Sequence, residues 1–113
     1  MYVQEVADLN VEVQRGDCEA LVCLTGDLDK LTAPLLKDAL VQLFTEGRVQ
    51  IVIDAAELDF CDSSGLWVLV EHQRRLSAHA GSLGIVGVHG VLRRVLDVTG
   101  LRAAFDRVVH AEL

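Results

Sequence analysis

Short runs that are wholly apolar or β-branched alternate along this chain with longer segments whose apolar residues recur every three to four positions, and few folds accept that order. Val11-Glu12-Val13-Gln14 alternates, Arg15-Gly16-Asp17 turns, and Ala20-Leu21-Val22-Cys23-Leu24 is apolar throughout. That predicts an antiparallel pair whose second strand is central and whose first lies at an edge. Thr25-Gly26-Asp27-Leu28-Asp29 reads as the exit loop. Leu35, Leu36, Ala39, Leu40, Leu43 and Phe44 then form a helical stripe, with Pro34 in its first turn and Gly47 as C-cap. Val49-Gln50-Ile51-Val52-Ile53 reads as a buried strand, and Leu66, Leu69, Val70 and Leu76 mark a helix to about residue 80. Gly81-Ser82 breaks it, Leu83 to Val88 is another strand, residues 91–98 a helix ending at Gly100, and Arg107-Val108-Val109-His110 a last short strand. The order implies parallel strands joined by right-handed crossovers. The expectation is one α/β domain over residues 1–113: a mixed, mostly parallel sheet of four to five strands with about three to four helices.

At 113 residues such a domain buries a core without metal or disulfide. Hydrophobic residues make up 51% of the chain and aromatics only 4%, so Val, Leu and Ala must build that core. The net charge of −7, with lysine only at Lys30 and Lys37, argues against nucleic acid or an anionic membrane as partner. Met1-Tyr2-Val3-Gln4-Glu5 does not read as a signal peptide, and no apolar run reaches membrane-spanning length. Cys18, Cys23 and Cys61 form no Cys-x-x-Cys pair and read as reduced, small buried residues of a cytoplasmic chain. His72, His79, His89 and His110 lack metal-ligand spacing, which predicts solvated or locally hydrogen-bonded rings and no metal or cofactor.

Asp62-Ser63-Ser64-Gly65 carries the chemistry. It stands where a short loop after one strand feeds the first turn of a helix. With Asp62 as N-cap, Ser63, Ser64 and Gly65 are the first three helical positions. A hydroxyl there lies beside unpaired backbone N–H groups and the positive end of the helix dipole. Leu66 and Trp67 occupy the capping-box positions, so no Glu or Gln turns back, and the N–H groups are expected to be free for another anion such as a phosphate on serine. A plain N-cap would use the same four residues. Loops 25–29 and 58–65 leave the carboxyl ends of adjacent strands, which brings Asp27, Asp29, Asp62 and Ser64 toward one surface. Capping and turn chemistry is the alternative role for each.

Three segments in order resemble the STAS domain, in particular the stand-alone anti-sigma factor antagonists of bacteria: Leu24-Thr25-Gly26-Asp27-Leu28-Asp29, Phe60-Cys61-Asp62-Ser63-Ser64-Gly65-Leu66, and Val91 to Leu101 with its closing Thr99-Gly100-Leu101. Together they span from about residue 8 to about residue 110. The resemblance implies a STAS-like fold and phosphorylation of the second serine, here Ser64, by an anti-sigma factor with serine kinase activity. It also implies a phosphatase for the phosphorylated form. Asp62 and Asp29 fall at the matching acidic positions, and Asp27, Ser63 and Gly65 complete the expected partner-binding surface. Gly65, without a side chain, would let a partner backbone approach Ser64. Trp67 departs from the family pattern; three residues after Ser64, it and Val68 are candidates for an exposed apolar pair, with burial of Trp67 beneath the Asp27 loop the other reading.

Two enzymatic or receiver-type readings fail on countable residues. A serine hydrolase elbow needs Gly where Cys61 stands. A phosphoacceptor Asp54 would need a late-strand Lys, and there is none beyond Lys37. A STAS scaffold or sensor of a stress-signalling or lipid-transport complex, not regulated by a kinase, is the rival to the antagonist.

Overall fold

The computed structural model describes residues 8–110, which leaves Met1 to Glu5 outside. Its elements are β1 (Leu9–Arg15), β2 (Glu19–Leu28), α1 (Ala33–Thr45), β3 (Gln50–Cys61), α2 (Ser63–Ser77), β4 (Ser82–Val88), α3 (Gly90–Thr99), a 3-10 turn (Leu101–Ala104) and β5 (Arg107–His110). The five strands form one sheet in the order β1-β2-β3-β4-β5. Only the β1–β2 pairing is antiparallel, so the edge hairpin and the mostly parallel sheet stand as expected. Because β2 to β5 follow one another in order, right-handed crossovers put α1, α2 and α3 on the same face.

Beneath the helices lies a single core, made by Val22, Leu24, Ile51, Ile53, Leu83 and Ile85 from the strands and Leu36, Leu40, Leu43, Leu66, Leu69, Leu76 and Leu96 from the helices. Gly100, at φ 74°, ends α3 in the left-handed region that glycine tolerates.

Three expectations change. Strands β2 and β3 run to Leu28 and Cys61, so the segments expected as loops 25–29 and 58–65 are largely strand. The α1 stripe is narrower than its sequence: Ala33, Leu36, Leu40 and Leu43 are buried, whereas Leu35 is 45% exposed and Ala39 and Phe44 are half-buried. One helix on one sheet face buries a single row, so the flanking apolar residues stay at the surface. The cysteines are free, but only Cys61 is buried; Cys23 is half-buried and Cys18 exposed.

Candidate functional site

Asp62 organises the site from the backbone up. Its own N–H donates to Leu28 O at 3.0 Å, which joins the end of β3 to the end of β2. Its extended backbone (φ −100°, ψ −175°) turns the chain into α2 as N-cap. Oδ1 accepts from the N–H groups of Ser64 (2.8 Å) and Gly65 (3.2 Å), and Oδ2 accepts from Lys30 N at 3.2 Å. This corrects one expectation. The N–H groups of Ser64 and Gly65 are not free for a second anion, because the cap already holds them.

The facing loop is built by Asp29 and Thr32. Asp29 Oδ1 accepts from Leu31 N (2.9 Å) and Thr32 N (3.0 Å), a local turn that launches α1. Thr32, almost fully buried, accepts from Asp29 N at 2.8 Å through Oγ1 and donates to Asp27 O at 2.7 Å. The adjacent-strand geometry thus brings Asp29 and Asp62 together through Lys30. Asp27 lies within β2 opposite Phe60, and its carboxyl is raised above the usual range by desolvation and then by Asp8, Asp59 and Asp29. Neither Lys30 nor Thr32 stood out beforehand, although a hydroxyl three residues after Asp29 is itself a turn signal.

Of the two hydroxyls, Ser63 is exposed and Ser64 half-exposed. Among the described residues none exchanges a hydrogen bond with Ser64 Oγ, so Ser64 is held by its backbone and its hydroxyl is left unengaged. Gly65 is buried, and an added Cβ would lie 2.3 Å from Leu28 Cγ and 2.8 Å from Leu28 Cδ2. Its missing side chain therefore serves the packing of α2 on β2. Trp67 is 48% exposed with the Arg74 guanidinium 5.9 Å from its ring centroid, which settles its two readings in favour of exposure. Val68 does not pair with it at the surface; it is half-buried against the core.

Cys61, next to Asp62, is held neutral: burial first and then Asp62 push its thiol up to about 12. His72 corrects the expectation of solvated rings. It is 4% exposed, Nε2 has no partner, and burial first and then Arg75 lower it to about 4. His79 follows the expectation, with Nδ1 2.9 Å from Arg75 O. No group of three or more metal-ligating side chains exists among the described residues, nor does any helix there have the length and apolarity to cross a membrane.

Comparison with known proteins fits this architecture. The family model described as "Mlab, STAS domain" matches residues 11–109. The anti-sigma-B factor antagonist of Bacillus subtilis (strain 168) is 30% identical over 105 residues, covering 93% of this chain and 95% of the relative. A crystal structure of an anti-sigma factor antagonist from Mycobacterium paratuberculosis superposes with a TM-score of 0.79 at 28% identity, covering 93% of this chain and 87% of that one. The structure of the Bacillus cell fate determinant SpoIIAA in its phosphorylated form shares the fold, with a TM-score of 0.70 at 21% identity over 87% of this chain and 90% of that one.

Proposed function

This chain belongs to the STAS domain family, and from that membership we propose that it acts as an anti-sigma factor antagonist switched by phosphorylation of Ser64. Unphosphorylated, it binds an anti-sigma factor that is also a serine kinase and so frees the sigma factor; phosphorylated, it lets go. The observation that carries this reading is the Ser64 hydroxyl, half-exposed and without a hydrogen-bond partner among the described residues, in the first turn of α2. In the transfer, Oγ bonds to the γ-phosphorus of ATP as the bond to ADP breaks, and the hydroxyl proton passes to a base of the kinase. The chain is then substrate and binder rather than enzyme. It needs no cofactor of its own and works in the cytoplasm, with a phosphatase restoring the unphosphorylated form.

Phosphate adds about −1.5 to −2 charge at neutral pH. The α2 dipole favours that charge, so the domain keeps its fold. A partner seated against a surface that already carries Asp27, Asp29, Asp59 and Asp62 meets added repulsion and desolvation. Incubation with the cognate kinase and ATP, read by intact mass, should add one phosphate to the wild type and none to Ser64→Ala. Phosphate on Ser64→Ala would move the site, with Ser63 the first candidate. A wild type that binds its partner yet stays unmodified would favour the scaffold reading.

A further inference from the structure

The ends of β2 and β3 meet beside Ser64, and between them they carry a single cation. Residues 24–32 and 54–65 hold Asp27, Asp29, Asp54, Glu57, Asp59 and Asp62 against Lys30 alone. Lys30 is exposed, and among the described residues its ammonium is in no ion pair, although Asp29 precedes it and Asp62 binds its backbone.

Backbone hydrogen bonds fix where that lysine stands. Lys30 N–H donates to Asp62 Oδ2 at 3.2 Å, and the other oxygen of the same carboxylate accepts from Ser64 N at 2.8 Å. One carboxylate therefore bridges the two residues, with a single hydrogen bond on either side. The turn that carries Lys30 is pinned on its far side as well, because Asp29 Oδ1 accepts from Leu31 N and Thr32 N. A flexible four-carbon stem rooted there is long enough to cross the bridging carboxylate to Ser64 Oγ. Other charges stand further off. Along α2 none follows Ser64 until Glu71, about two turns on, and its first cation is Arg74, about 15 Å along the axis. From α1, Lys37 lies beside Val68, Glu71 and Arg75, about one to three turns along α2 from Ser64.

A phosphate on serine makes its second ionisation near pH 6, close enough to neutrality for the local field to decide how much of the second charge it holds. Asp27, Asp29, Asp59 and Asp62 favour the monoanion, because like charges oppose the loss of the second proton. A neighbouring ammonium favours the dianion. We propose that Lys30 is the intramolecular counter-cation of the Ser64 phosphate, its ammonium donating to a phosphate oxygen in the phosphorylated form and keeping that phosphate doubly charged at neutral pH. The proposal rests on the antagonist reading, since it concerns the modified chain. It names the residue that sets how much charge the switch delivers, and gives the lone lysine of an acidic loop a role that turn chemistry does not.

The test is a phosphorus NMR titration of the full chain with phosphoserine installed at position 64 during translation, which needs no kinase. Lys30→Gln should raise the second ionisation of that phosphate by about 0.3 pH unit or more, the shift that an exposed ion pair of ordinary strength supplies. Lys30→Arg, which keeps the charge, should stay close to the parent midpoint, and added salt should shrink the Lys30→Gln shift. The unfolding temperature should hold in both variants, because Lys30 meets Asp62 through its backbone N–H. A midpoint unmoved in Lys30→Gln, or raised equally in Lys30→Arg, would overturn the pairing and leave the antagonist reading intact. That reading falls separately, and the pairing with it, if the kinase binds the wild-type chain and leaves Ser64 unmodified.

Discussion

Gly65 shows how a glycine at a candidate site can have a packing cause of its own. In a helix glycine costs about 1 kcal/mol relative to alanine, so its place beside Ser64 invites a role in partner approach. The structure gives a different cause: a Cβ would lie 2.3 Å from Leu28 Cγ, and Leu28 is itself fully buried. Overpacking of this kind costs about 1–3 kcal/mol, which outweighs the propensity gain, smaller still in a first turn. Gly65→Ala is therefore expected to lower stability by about 1 kcal/mol or more in urea unfolding; a more stable variant would show that Leu28 yields. His72 was equally illegible, since its depth depends on α1 closing over α2, a packing that no local pattern encodes. Its folded pKa lies near 4, below the ordinary 6.5, so the unfolded chain takes up the proton first. Stability should fall as pH drops from about 6.5 toward 4, and His72→Phe should flatten that slope when unfolding midpoints are followed with pH. Glu46, drawn down to about 2 by hydrogen bonds from Arg15 and then Arg48, acts in a separate window, from its ordinary 4.5 toward 2.

Among the elements, helix starts and stops were the most readable, because Asp62 and Gly100 are caps with a local cause and Gly47, at φ 85°, turns the chain just after Glu46, the C-cap of α1 that the sequence had placed one residue later. Strand ends were not. β3 pairs with β4 only as far as Asp54, then continues against β2 alone to Cys61, with register shifts along the way. One side of that ribbon stays in the core through Leu28, Ala55, Leu58 and Cys61, while the other meets water, so Glu57, Asp59 and Asp27 fit there and imitate loop composition. The adjacency of Asp29 and Asp62 was still foreseeable, since it depends on strand neighbours rather than strand length. The outward face of α2 carries Trp67, where spacing alone left two readings. Half-exposed beside Arg74, it should fluoresce to the red in the free protein and shift when the partner binds. Trp67→Ala should leave the unfolding temperature nearly unchanged and cost about 2 kcal/mol of binding, roughly thirtyfold in Kd. A stability loss of about 3–5 kcal/mol with normal affinity would instead mark a core residue.

For the molecule as a whole, the question is how one phosphate can silence a surface without rebuilding a domain. The Ser64 hydroxyl, proposed to take it, sits on a helix start already fixed by Asp62, which grips Ser64 N, Gly65 N and Lys30 N at once. That cap depends on the backbone and not on Ser64 Oγ, so modifying the hydroxyl removes no described hydrogen bond. What changes is the field: a chain of net charge −7 gains further negative charge on its acidic rim. Repulsion between a docked partner and that rim is partly desolvated and therefore less screened than an exposed pair, but added salt should still soften it. Ser64→Glu, with one charge and fewer oxygens than a phosphoserine, should then weaken partner binding more than it lowers the unfolding temperature, and less than phosphorylation does. Binding measured at two ionic strengths should show the Ser64→Glu penalty shrinking at the higher one. Unchanged affinity with a large drop in stability would place the effect inside the domain, and the switch would then work by local refolding at the start of α2 instead of by charge at the interface.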